Sequence, residues 1–138
     1  MSLPNCPYLT VDGVVRYRGC IVVIERMYPP LGLALPGGFV DVGETCEDAI
    51  TREVEEETNL SAHVTNLIGV YSDPDRDKRG HIVTVAYALE ADGKMKAKDD
   101  AKAVHAIEVG DALAMDFICD HRQILLDAMN HVFNRRYS

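Results

Sequence analysis

The chain has 138 residues, 47% apolar and 26% charged, which predicts one compact domain over 1–138 with a substantial core and excludes disorder. Its longest apolar runs, such as 20–24, are too short to cross a bilayer, and no charged-then-apolar leader opens it, so a cytoplasmic protein without a membrane partner is expected. A formal charge of −8, from 22 acidic and 14 basic side chains, repels nucleic-acid backbones and leaves a small phosphate-bearing ligand as the compatible partner, given metal ions and a few arginines in the site.

Two β-rich stretches, 10–17 and 20–25, open the chain, separated by the turn-like Arg18-Gly19. Residues 27–38 read as loop, with Pro29, Pro30, Gly32, Pro36, Gly37 and Gly38. A helical pattern begins after Gly43 and runs to Thr58. Strand-like runs follow at 62–71 and 81–90, with the polar stretch 72–80 as a long loop between them. A further strand is expected at 103–109, and a closing helix at 121–133. Asp120 is the expected N-cap of that helix, and Ile124, Leu125, Ala128 and Val132 form its apolar stripe. Strands interleaved with two helices predict an α/β sandwich with a mixed sheet. Cys6, Cys20, Cys46 and Cys119 are scattered without a C-x-x-C pair, so they read as small buried side chains in a reducing compartment. His63, His81, His105, His121 and His131 lack the close His/Glu spacing of a zinc enzyme.

The segment 44–60 carries the chemistry. Thr45 can cap the helix, and Asp48 stands three residues on, where a capping-box acid belongs. A Glu-rich run such as Arg52-Glu53-Val54-Glu55-Glu56-Glu57 is usually a solvated face. The helical angles argue otherwise here. At about 100° per residue, Glu53 and Glu57 flank the direction of Cys46, between Ala49 and Ile50, and Glu56 lies at the edge of the same half. Glu47, Thr51, Glu55 and Thr58 take the far side. Half-buried carboxylates repel one another and lose hydration, which is costly without a cation among them. Magnesium, which takes oxygen ligands and is often shared with substrate phosphates, resolves that cost. Arg52, one turn from Glu56 and Asp48, can hold part of the cluster by ion pairing. Ahead of the helix, Pro36 stiffens the chain, while Gly37 and Gly38 let the backbone come close to a ligand or metal.

Gly38, five residues, Glu44, seven residues and then Arg52-Glu53-Val54-Glu55-Glu56-Glu57 with Leu60 resemble the Nudix box, G-x5-E-x7-R-E-U-x-E-E-x-G-U, where U is a bulky aliphatic. Six fixed identities match, and at roughly one in fifteen per position chance gives this about once in ten million starting points. One position departs. Asn59 stands where the family has Gly, at the helix end, where a left-handed residue is needed and Asn is the next-best choice. Residues 29–39 and 71–81 are similar to the ADP-ribose pyrophosphatase-like subgroup, and Pro74 stands where a proline accompanies ADP-ribose specificity. Leu33 occupies a place where relatives often carry Trp.

The resemblance implies a Nudix-type α/β/α sandwich around a mixed β-sheet, with the box as loop and helix. It implies a pyrophosphohydrolase acting on a nucleoside diphosphate derivative, with ADP-ribose giving AMP and ribose 5-phosphate. Magnesium, with manganese as a substitute, would be held by Glu53, Glu56 and Glu57 with a loop carbonyl at Gly37 or Gly38. Such ions neutralise the diphosphate and lower the pKa of an attacking water. Arg52 belongs to the same catalytic cluster, while Glu44 supports the loop and helix start. The general base comes either from the box, as Glu56, or from a later acid, Asp99, Asp100 or Glu108. Arg26, Arg76 and Arg79 are candidates for substrate contacts together with Gly37, Arg26 first because it follows a strand into the site loop. Family members are often homodimers, which sets that expectation here. Two other readings share the motif: hydrolysis of oxidised nucleoside triphosphates or other nucleoside diphosphate derivatives, and a Nudix module that binds ligand without turnover.

Overall fold

The computed structural model describes residues 2–98 and 101–133. Strands β1 (Tyr8–Tyr17), β2 (Cys20–Arg26), β3 (Leu33–Ala34), β4 (Gly37–Phe39), β5 (Ser61–Tyr71), β6 (Ile82–Asp92) and β7 (Ala101–Ile107) form one mixed sheet. Its order is β3-β2-β1-β6-β5, with β4 also paired to β1 and β7 to β2. β1 and β6 run parallel, from Tyr8 against Ile82 to Arg16 against Glu90, and the other strand pairs are antiparallel.

Two-residue alternation in the central strands builds the layers. Val11 and Val15 of β1 and Val22 of β2 pack with Ala49, Ile50 and Val54 of helix α1 (Cys46–Thr58). Val14, Ile21 and Val23 point the other way, toward helix α2 (Val109–Leu113) and helix α3 (His121–Asp127), where Ile124 and Leu125 are fully buried. The sheet is thus covered on both faces, as the alternation of strand and helix signals predicts.

The structure departs from the sequence expectations at several points, each with an identifiable cause. The loop expected at 27–38 contains β3 and β4, because such short strands exist only through their partners, Ile24 opposite Ala34 and Asp12 opposite Gly37. The strand expected at 103–109 ends at Ile107, since Glu108 caps α2 by accepting the Asp111 N–H (3.3 Å). Asp120 precedes α3 but does not cap it with its side chain, which is taken by Arg76. The closing helix widens into a π-helical turn over Ala128–Val132. Thr58, assigned to the solvent side of α1, is fully buried; the core stripe runs through Ile50 and Val54, and the Thr58 hydroxyl donates to Val54 O (2.6 Å). Cys6 and Cys119 are exposed, and Cys20 and Cys46 only partly buried, so none is the core side chain its residue type suggested.

Candidate active site

The box helix is set at both ends by its own residues. The Thr45 hydroxyl accepts the Asp48 N–H (3.1 Å), satisfying one of the free amides of the first turn. Asn59 closes the helix in the left-handed region (φ 66°, ψ 7°), and its side-chain amide donates to Lys94 O (2.9 Å). Asn carries a smaller penalty there than other L residues except Gly. Between these ends, Glu55 faces solvent and Glu57 is 5% exposed, while the side chains of Glu53 and Glu56 are 15% and 45% exposed. The inward lean of Glu53 and Glu57 follows the helical angles.

Arg52 organises the acids around it. Its guanidinium donates to Glu44 from Nε (3.1 Å) and Nη2 (2.6 Å), and from Nη1 to Glu53 (2.9 Å) and Glu56 (3.1 Å). A further bond reaches Phe39 O (3.2 Å), tying the helix to β4. Glu44 also accepts the Asp41 N–H (2.8 Å), and these two donors, Arg52 first, hold its carboxyl below the usual range. Glu44 therefore closes the loop onto the helix.

Glu57 is treated differently. Burial pushes its carboxyl well above the ordinary range; the Gly37 N–H, donating at 2.8 Å, opposes this, while the neighbouring charges of Glu53 and Asp12 add to it. The double glycine fits the chain into this corner, Gly37 against β1 and Gly38 against Glu53. A Cβ on Gly38 would lie 2.5 Å from Glu53 Oε1 and 2.8 Å from Oε2, so only hydrogen leaves the space before that carboxylate open. The carboxylates of Glu53 and Glu57, which line the same cleft, are of the chemistry that suits a hard divalent cation. Among the described residues no three acidic, His or Cys side chains stand as a ligand cluster, and Glu53 and Glu56 are both paired with Arg52. A divalent cation here would be held by the carboxylates of Glu53, Glu56 and Glu57.

The cleft in front of the box has a volume of about 320 Å³. Arg26, Arg76 and Arg79 line it together with Gly37, Gly38, Glu53 and Glu57. Arg26 folds back on its loop, donating to Pro30 O (2.7 Å) and Tyr28 O (3.3 Å). Arg76, with a side chain 3% exposed, is locked in a two-pronged pair with Asp120 (2.5 and 2.9 Å). Arg79 pairs likewise with buried Asp77 (2.8 and 3.1 Å) and lies over the Phe39 ring. Of the acids considered as general base, Glu56 stands beside the cleft-lining Glu53 and shares Arg52 with it. Glu108 does not line the cleft and is spent on capping α2. Asp99 and Asp100 lie outside the described residues.

Two further residues enter the cleft unforeseen. Asp12 of β1 is 6% exposed; its Oδ2 accepts from the Thr84 hydroxyl (2.6 Å), and its Oδ1 lies 3.5 Å from His121 Nε2. The Leu35 N–H donates to His121 Nδ1 (3.0 Å), and burial holds the imidazole below its ordinary pKa. A lone acid in the apolar run Val11-Asp12-Gly13-Val14-Val15 was the available signal, since such a charge must find partners.

Residues 7–127, which carry the sheet, the box helix and the cleft, match a NUDIX domain model. The chain belongs to the NUDIX family, whose hydrolases generally act with divalent metal ions. It is 42% identical over 126 residues to an ADP-ribose pyrophosphatase of Methanocaldococcus jannaschii, covering 89% of this chain and 73% of that protein. The structure is similar to the NUDIX domain of Shewanella oneidensis NrtR complexed with ADP ribose (TM-score 0.82, 26% identity, 93% of this chain and 90% of that one). It is also similar to a bifunctional NMN adenylyltransferase/ADP ribose pyrophosphatase of Francisella tularensis, solved with AMP and a manganese ion (TM-score 0.80, 28% identity). Here 94% of this chain is covered but only 43% of the longer Francisella chain.

Proposed function

We propose that the protein hydrolyses ADP-ribose to AMP and ribose 5-phosphate, with magnesium, or manganese in its place, held by Glu53, Glu56, Glu57 and the Gly38 carbonyl. The observation that carries this reading is buried Glu57 in the same cleft as Glu53, with Gly38 keeping the space before the Glu53 carboxylate free of a side chain. The archaeal relative and the ADP-ribose complex of the Shewanella domain support the choice of substrate. When bound, the cation supplies neutralisation of the diphosphate and activation of the attacking water. The chain's own residues do the rest. Arg52 keeps Glu44, Glu53 and Glu56 in register with the loop. Glu56, the most open of the three box acids, accepts the proton of the attacking water. Arg26 and Arg79 face the phosphates and riboses in the cleft, while Arg76 holds the cleft lining through Asp120. Asn59 and Glu44 fix the ends of the motif. A single domain over 1–138, a homodimer and a cytoplasmic setting belong to the same reading, and four free thiols support the reducing compartment.

The test follows AMP release by mass spectrometry on a panel of ADP-ribose, an oxidised nucleoside triphosphate, a dinucleotide and a nucleotide sugar, with Mg2+ or Mn2+. ADP-ribose should give the highest kcat/KM. Glu57→Gln should lose most turnover while the metal-free protein stays folded, because the amide keeps an acceptor for the Gly37 N–H and removes a buried charge. Preference for another panel member overturns the substrate; full turnover by the variant overturns the site.

A further inference from the structure

Resting on that reading of the cleft, we propose that His121 is a positioning residue, a neutral clamp that joins α3 to the metal-carrying loop and works together with Asp12. The loop strand 35–37 is held by a succession of bonds, each on a different backbone atom. The Leu35 N–H donates to His121 Nδ1 (3.0 Å). Pro36 O accepts the Gly13 N–H (2.8 Å). The Gly37 N–H donates to Glu57 (2.8 Å). The middle and last of these come from the sheet and the box; the first comes from a helix almost ninety positions later in the chain, |i−j| = 86.

The bond also fixes the imidazole. With Nδ1 accepting from a backbone amide, the ring proton sits on Nε2, the atom facing Asp12 Oδ1 at 3.5 Å. Asp12 in turn is held by Thr84 and lies against Gly37, where a Cβ would collide with its Oδ1. His121 thus touches the loop twice, directly at Leu35 and through Asp12 beside Gly37. Neither side chain needs to touch substrate. Outer groups that orient a metal site in this way affect affinity for the ion without contacting it.

The experiment uses the full chain with Mn2+ as probe. Amide hydrogen exchange of Leu35 is measured without metal, and Mn2+ affinity by electron paramagnetic resonance, for wild type, His121→Leu and His121→Asn. Leu removes the acceptor, whereas Asn places Oδ1 where Nδ1 stood. In His121→Leu the Leu35 amide should lose protection and Mn2+ should bind about 10- to 100-fold more weakly. His121→Asn should recover most of both. Should His121→Leu fail to fold, His121→Gln replaces it; it reaches toward Asp12 without the Nδ1-like acceptor and should behave as Leu was expected to. Wild-type Mn2+ affinity in the Leu variant, or equal loss in Asn and in Leu or Gln, overturns the clamp. A wild-type protein that takes no Mn2+ overturns the metal reading instead, and the clamp then stands or falls on the Leu35 exchange.

Discussion

Gly37 and Gly38 are adjacent, yet the same substitution should do different things at each. On Gly37 a Cβ would lie 3.0 Å from Asp12 Cα and closer still to Val11 O and Asp12 Oδ1. Those atoms belong to β1, which at Val11 and Asp12 is backed on its other edge by β6 and cannot withdraw. Overpacking against a fixed backbone costs about 3 kcal/mol. At about 4 °C per kcal/mol for a chain of this size, Gly37→Ala should lower Tm by about 12 °C. On Gly38 the nearest atoms to the added Cβ are those of the Glu53 carboxyl, at 2.5 to 2.8 Å. That group is the end of a flexible side chain, and moving it off its preferred rotamer costs about 1 kcal/mol, or about 4 °C. The displaced oxygens, however, are proposed metal ligands, so Mn2+ affinity should fall at least about tenfold. Thermal unfolding in chelator and Mn2+ binding at fixed temperature separate the two effects. A Gly38→Ala protein as unstable as Gly37→Ala, or one binding Mn2+ like wild type, refutes the geometry assigned to the double glycine.

The loop over the cleft offers a pH test. Asp77 has its carboxyl lowered from 3.8 to about 2, chiefly by the Arg79 hydrogen bond. That lowering corresponds to about 2 kcal/mol. Because the folded pKa is the lower one, that stability is present above pH 3.8 and drains away as the pH falls toward 2. Asp77→Asn should therefore be about 2 kcal/mol less stable at neutral pH, with the gap closing in acid; a constant gap in urea melts would sink this account. Arg52→Lys keeps the charge but not the planar fork that makes five bonds to Glu44, Glu53, Glu56 and Phe39 O. It should lose about 1–3 kcal/mol in chelator, and an unmoved urea midpoint would deny the fork its structural role.

What could be read beforehand followed the range of the interactions involved. The orientation of Glu53, Glu55 and Glu57 depends on helical angle alone, and the left-handed Asn59 on a local backbone need, so both were legible. Thr58 was misjudged because angle gives the direction of a side chain but not the width of the surface packed against it. β3 and β4 escaped notice because a two- or three-residue strand has no periodicity of its own. The rest of the cleft is harder still. Arg76 finds Asp120 across 44 positions, and His121 finds Leu35 across 86. No spacing rule reaches that far.

The parts hidden from the sequence are also the parts that differ in character from the box. Box residues interact within a helix and its lead-in, so the motif can be carried by a short segment. Asp12, Thr84 and His121 come from β1, β6 and α3 and meet only because the parallel pairing of β1 with β6 and the covering of that face by α3 bring them together. Their coming together requires the finished sandwich. A site built this way has its charge-bearing half specified locally and its alignment specified by the whole fold. Substitutions of Asp12, Thr84 or His121 should accordingly alter metal affinity while every residue of the box is unchanged.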